Sequence, residues 1–201
     1  LEKAEIYAVQ IMHYMALAET GKSLRIAQEG LQLCGVNFPQ KELHRAIEAE
    51  CAGIEELLAG REISELVDEE EMSDKAKMVA MSIFPNLAIG NYILGNKELF
   101  TLSACMATRI TLQFGMLDLS AYIYAWYGVL LSNQARYIES YEFGQLALKI
   151  SQKHPHCREI SQMRNVVGTF LTHISRPIKE SIPILLEGYH RGYESGDLIP
   201  A

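Results

Sequence analysis

The sequence predicts an all-α fold: a right-handed superhelical array of about nine helices, packed as antiparallel pairs that each bury an apolar face on the next. Three observations carry that expectation. Apolar residues recur with helical period along almost the whole chain, and the strict alternation of a strand is nearly absent. Gly, Asn and Pro fall at the breaks in that period. A local pattern, Ser followed by a small residue seven positions on, returns in three of the helices. With 201 residues, 49% of them hydrophobic and 21% charged, the chain is long enough to bury a continuous core without metals or disulfides, and it is read as one helical-repeat domain over 1–201.

In chain order, the period places helices at about 2–19, 22–34, 41–59, 73–93, 97–114, 119–133, 137–153, 157–175 and 178–194. Gly21 separates the first two, Gly35 with Pro39 beyond it closes the second, and Gly60 closes the third. An irregular acidic loop over about 60–73 follows, and the acidic run ELVDEEEMSD, residues 65–74, is read as a solvated loop. Ser73 and Asp74 suit the N-cap of the fourth helix, which Pro85 is expected to kink or divide. Gly95 with Asn96 ends the fourth helix and Gly115 the fifth, and Ser120 is a candidate cap for the sixth. Pro183 lies in the first turns of the last helix, where a missing N–H is tolerated, and Gly196 ends that helix.

The stretch SYEFGQLALKI, residues 140–150, reads as an amphipathic helix, yet it sets Ser140, Gly144 and Ala147 on or near its apolar face, where a core helix carries bulk. The pattern recurs. The second helix has Thr20, Ser23, Leu24, Ile26, Gly30 and Leu31; the seventh has Tyr137, Ser140, Tyr141, Phe143, Ala147 and Leu148; the last has Ile178, Ser181, Ile182, Ile184, Gly188 and Tyr189. Seven residues are about two helical turns, so the two small residues share a face and form a shallow trough. A neighbouring helix then approaches at the short end of the usual interaxial range. Gly128 lies twelve residues before Ser140 and Gly168 thirteen before Ser181, which sets small residues on the partner helices too.

This arrangement resembles the tetratricopeptide repeat, in which small residues sit on helix A and twice on helix B. The fullest copy runs through AYIYAWYGVLLSNQARYIESYEFGQLALKI, with Gly128, Tyr137, Ser140 and Ala147 in the repeat's places. The first copy departs from it, with Ile11 where helix A has Gly, and the middle of the chain is longer than a standard repeat. Over nearly the whole length, the segments LCGVNFP, AGREISELVDEEEMSDKAKMVAMSI, ELFTLSACMATRITLQFG, SAYIYAWYGVLL, YEFGQLALKI and LLEGYHRGYESGDL are similar to the helical region of large bacterial signalling ATPases. In those proteins a protein-kinase-like domain and a P-loop ATPase domain precede the helical repeats, and GAF and histidine-kinase or cyclase domains often follow.

The resemblance implies a non-catalytic interaction or relay module of a cytoplasmic signalling protein, whose partners are proteins or neighbouring domains of the same polypeptide. It transfers no active site. The opening LEKAEIYAVQ, already in helical period and without an initiator Met, and the closing GDLIPA agree with a piece of a longer chain. On the tetratricopeptide analogy helix A lines the concave groove, which points to Tyr122, Asn133, Met163, Phe170 and His173 as candidate partner contacts. The Lys/Asn set that clamps a peptide carboxylate in some such repeats is not visible, which argues against a chaperone-tail receptor. The rival expectation is a receptor module that binds a small effector or short peptide in the superhelical groove.

Chemistry is sparse. A formal charge of −7, a pI near 5.4 and scattered basic residues argue against a nucleic-acid face. There is no GxxxxGK[ST], no GxGxxG after a strand and no kinase HRD or DFG set, so no nucleotide cofactor is expected. His154, His156 and Cys157 in HPHC are of zinc-ligand type, but no second ligand pair is spaced to complete a tetrahedron, and no metal is expected. Cys34, Cys51, Cys105 and Cys157 stand far apart without CxxC spacing, which reads as buried structural thiols in a reducing, cytoplasmic compartment. His13 and His173, between apolar residues, are read as core or groove histidines, and the adjacent pairs Glu55/Glu56 and Glu69/Glu70 diverge rather than converge as a catalytic pair. Tyr122, Tyr124, Trp126 and Tyr127 crowd one helix and are not all expected to face inward. The longest apolar window, LSAYIYAWYGVLL at 119–131, is too short for a bilayer span, and neither a membrane segment nor a signal peptide is expected.

Overall fold

The structure, a computed structural model, describes residues 1–155 and 157–196. It is all-helical, without a strand among the described residues. The helices are α1 (Glu2–Ala16), α2 (Thr20–Leu33), α3 (Leu43–Leu58), α4 (Lys75–Ile93), α5 (Lys97–Phe114), α6 (Ser120–Asn133), α7 (Tyr137–Lys153), α8 (Ile160–Val166), α9 (Thr172–Ser175) and α10 (Ser181–Ser195). A 3-10 turn spans Ile63–Asp68, a π-helical turn spans Val167–Leu171, and a second 3-10 turn, Ile178–Glu180, leads into α10. The expected eighth helix is therefore one rod in three parts: α8, a π turn and α9.

Four helix ends share one device. Four helices finish with paired backbone bonds in which the first residue past the cap points back three positions and the next one points back five. The pairs are Ala18 to Met15 with Glu19 to Tyr14, Gly35 to Gln32 with Val36 to Leu31, Gly95 to Tyr92 with Asn96 to Asn91, and Ala135 to Ser132 with Arg136 to Leu131. This Schellman closure needs a left-handed residue at its corner. Gly35 and Gly95 supply it, as the sequence suggests; at the other two corners Ala18 and Ala135 carry positive φ, 57° and 61°. Gly21 is thus no punctuator, because it sits in the first turn of α2.

Three further expectations are corrected. Of the two outcomes expected at Pro85, a kink or a division, the division does not occur, since α4 runs from Lys75 to Ile93 as one helix. Ser120 is the first residue of α6 rather than its cap, and it is buried. The acidic stretch is more than a solvated loop, since its 3-10 turn buries Leu66 against α7 and two of its carboxylates are paired, Glu69 with Arg61 and Asp68 with Lys153 Nζ at 2.6 Å. Asp74 caps α4 as expected, accepting from the N–H groups of Ala76 and Lys77 at 2.9 and 3.1 Å.

The helices group into two compact units, one built from residues 1–59 and 71–117, the other from 60–70 and 118 onward. In the first, α4 packs against α1, α2 and α5, and its Met81, Ile83, Phe84 and Leu87 fill the core. The chief neighbour of α3 is α5, not α4, so strict sequential pairing fails there. The long connection between α3 and α4 permits this, and it is tied down by buried Met72, whose N–H donates to the Met116 carbonyl at 2.8 Å.

In the second unit α6 pairs with α7, α8 pairs with α10, and the α8 to α9 rod touches both α6 and α7. With neighbours on several sides, α6 is buried nearly all round. The four crowded aromatics Tyr122, Tyr124, Trp126 and Tyr127 all lie inside, none more than 8% exposed, contrary to the expectation that some would face solvent.

Candidate functional site

The trough residues are where the helices meet. Ser23, Gly30, Ser140, Ala147, Ser181 and Gly188 are all buried. A Cβ built on Gly128 would lie 3.0 Å from the Ser140 carbonyl oxygen, and one on Gly188 would lie 3.4 Å from that of Ser161 and 3.1 Å from Arg164 Cβ. In the first pair, where helix A has Ile11 instead of Gly, the contact becomes a hydrogen bond: Ser23 Oγ donates to the Ile11 carbonyl at 3.2 Å.

The small residues also act as sockets for single branched side chains. Leu171 fills the hole that Gly128 and Gly144 leave between α6 and α7, with its Cδ1 about 3 Å from where either Cβ would stand. Leu185 fills the socket at Gly168, Ile83 the one at Gly30 and Leu24 the one at Gly90. The thinning of α7 at Ser140, Gly144 and Ala147 is thus answered by the rod that follows it. The π turn sets the register of Leu171 in that rod. It is held by the Val167 carbonyl, five residues before Thr172, which accepts both the N–H of Thr172 and its Oγ1, the latter at 3.0 Å.

The five candidate groove residues separate by exposure. Tyr122 and Met163 are buried in the interior, whereas Asn133, Phe170 and His173 reach solvent. Tyr122 stacks edge-on with Trp126 at 6.2 Å, and Trp126 lies 6.3 Å from Phe170, so an aromatic row runs from the core to the surface. His13, like His173, is exposed and is not a core histidine. Cys34 and Cys105 are buried and Cys51 and Cys157 half-buried; burial raises the Cys34 thiol, and burial beside Glu159 pushes Cys157 up to about 12. His154 Nδ1 is 2.6 Å from Asp118 Oδ1, while His156 of HPHC lies outside the described residues.

Two features escaped sequence reasoning. The first is the outer face of α10. Ser181, Gly188 and Gly192 turn inward, while Ile182, Leu186, Tyr189 and Tyr193 are all at least half exposed. Their spacing of four, three and four residues makes one stripe and was readable, but the repeat pattern assigns Ile182 and Tyr189 to buried flanks. The second is a buried cation: Arg164 Nη2 pairs with Glu187 Oε1 at 2.8 Å, and burial lowers the arginine's proton affinity.

Two hollows formed by described residues are small or shallow. One of about 200 Å³ is lined by Glu62, Ile63, Ser64, Glu142, Leu146 and Lys149, among others. Another of about 530 Å³ lies at the turn between α1 and α2, beside Glu19, Lys22, Arg25 and Leu94. Charged side chains edge both. Among the described residues no three His, Cys, Asp or Glu side chains converge as a metal site, and no helix is long and apolar enough to cross a membrane. Comparison with protein-family models, curated proteins and solved structures finds no significant match to this chain.

Proposed function

We propose that the chain is a non-catalytic helical-repeat module, with tetratricopeptide-like pairs stacked as a right-handed superhelix, that binds a protein partner or a neighbouring domain of its own polypeptide. The observation that carries this reading is the outer face of α10. On α7, the helix with the same small-residue pattern, Gly144 lies against Leu171 and Val167 of the rod that follows it. On α10 the aligned position is Leu185, which packs back into the socket at Gly168, and the neighbouring side chains Ile182, Leu186, Tyr189 and Tyr193 are open to solvent. Tyr is an interface anchor, because it covers area at low entropic cost while its hydroxyl stays wet.

The physiological setting follows from the resemblance to signalling ATPases: a cytoplasmic bacterial relay in which a stiff helical arm couples an ATPase domain to a kinase output. A receptor for a small effector would instead need an apolar hollow of roughly 300–1,000 Å³ with a few convergent polar groups. The two hollows described above, edged by charged side chains, do not have that character.

The test is calorimetric titration of the folded chain with separately expressed segments encoded on either side of it. Saturable binding, weakened about tenfold or more by Leu186→Asp or Tyr193→Asp with helical content unchanged, would support the reading. No binding by any segment, or binding indifferent to both substitutions, would overturn it.

A further inference from the structure

Cys51 and Cys105 are 54 residues apart in sequence, yet their sulfurs stand 3.8 Å apart across the contact between α3 and α5. Their exposures differ: Cys51 is half-buried and Cys105 is 1% exposed. Beside them Arg109 Nη1 lies 3.4 Å from Glu50 Oε1, and the Arg109 guanidinium crosses Gly53, where a Cβ would be 2.7 Å from its Nε. The helix that carries Cys51 is weakly anchored. Of its sixteen residues only Ile54 is buried, and α5 is its chief neighbour.

We propose that Cys51 and Cys105 are a reversible oxidation site for hydroperoxides, which closes a disulfide that staples α3 to α5. The half-buried Cys51, as thiolate, attacks a peroxide oxygen. The O–O bond breaks, the leaving oxygen takes up a proton as water or an alcohol, and Cys51 becomes a sulfenic acid. Cys105 then attacks the Cys51 sulfur, the S–O bond breaks, water leaves and the S–S bond forms. In sum, two thiols and one hydrogen peroxide give one disulfide and two waters; each sulfur loses one electron and the peroxide gains two.

The order of attack follows from the surroundings. Cys51 is half-buried and within reach of a peroxide whereas Cys105 is enclosed, so Cys51 is the first nucleophile and Cys105 the resolving sulfur; the contact with Cys51 and burial also raise the Cys105 thiol. Cys34 and Cys157 have no sulfur partner in such a contact.

The test uses the whole folded chain. After brief treatment with stoichiometric hydrogen peroxide, free thiols are alkylated under denaturing conditions and the protein is digested without reductant. The expected result is a peptide linking Cys51 to Cys105, reversed by dithiothreitol, with Cys34 and Cys157 alkylated. Hydrogen exchange read in parallel slows across α3 on oxidation, and Cys51→Ser abolishes both effects. A failure to link in the wild-type protein, or linkage spread over all four cysteines, overturns the site. Linkage without slower exchange in α3 overturns the staple.

Discussion

Gly128→Ala tests the close approach of α6 to α7 with a single methyl group. In an unconstrained helix the change is favourable by about 0.5–1 kcal/mol, because Ala loses less backbone entropy than Gly. At Gly128 the new Cβ would stand 3.0 Å from the Ser140 carbonyl oxygen and 3.0 Å from Leu171 Cδ1. Non-bonded carbon contacts are best at roughly 3.5–4.0 Å. Leu171 can rotate its methyl away, but a carbonyl in the first turn of α7 yields only if the whole helix moves. Overpacking of this kind costs about 1–3 kcal/mol, so the net expectation is a loss of about 0.5–2 kcal/mol. The control is Gly21→Ala, in the first turn of α2 with no atom within 4 Å of the new Cβ, which should gain about 0.5–1 kcal/mol. Thermal unfolding followed by circular dichroism reads both, at about 2–8 °C per kcal/mol depending on how much of the chain melts together. A Gly128→Ala protein as stable as the Gly21→Ala protein would refute the close approach.

Three further outcomes follow from the same contacts. Ala135→Gly should raise stability by about 0.5–1 kcal/mol, because relief of a left-handed alanine outweighs the added freedom of the unfolded chain; a lower melting temperature would deny that geometry. Glu187→Gln leaves the Arg164 guanidinium, whose Nε has no hydrogen-bond partner among the described residues, without its carboxylate; since Glu187 is about half exposed, a loss of about 1–2 kcal/mol in urea titration is expected rather than that of a fully buried pair. Asp74→Ala removes both side-chain bonds at the start of α4 and should cost about 1 kcal/mol, seen as faster hydrogen exchange in the first turn of α4.

The helices and their trough were legible because both depend on local spacing. Ser140 and Ala147 share a face whatever packs on it, and Gly35, Gly60, Gly95, Gly115 and Gly196, all with positive φ, mark ends without reference to any other segment. What was not legible depends on partners distant in the chain. The pairing of α3 with α5 rather than α4 is invisible to a scan for sequential hairpins, and so is the meeting of Cys51 with Cys105. Ala18 and Ala135 could not be read as corner residues, since alanine carries no left-handed preference and only the backbone bonds around it reveal the strain.

The candidate groove and the face of α10 show why one periodicity supports opposite readings. A helical stripe of Ile, Leu and Tyr has the same spacing whether a neighbour covers it or solvent does, so period alone assigns it to the core. The decision rests on the opposite side of the helix. On α10 the small residues Ser181, Gly188 and Gly192 already take the face toward α8 and the π turn, which leaves Ile182, Leu186, Tyr189 and Tyr193 on the side away from those contacts. On α6 the large aromatics and Gly128 are all enclosed, because α7, α8 and the π turn pack on that helix. A trough of small residues therefore identifies which face a helix has committed, and the bulky stripe opposite it is where binding should be sought.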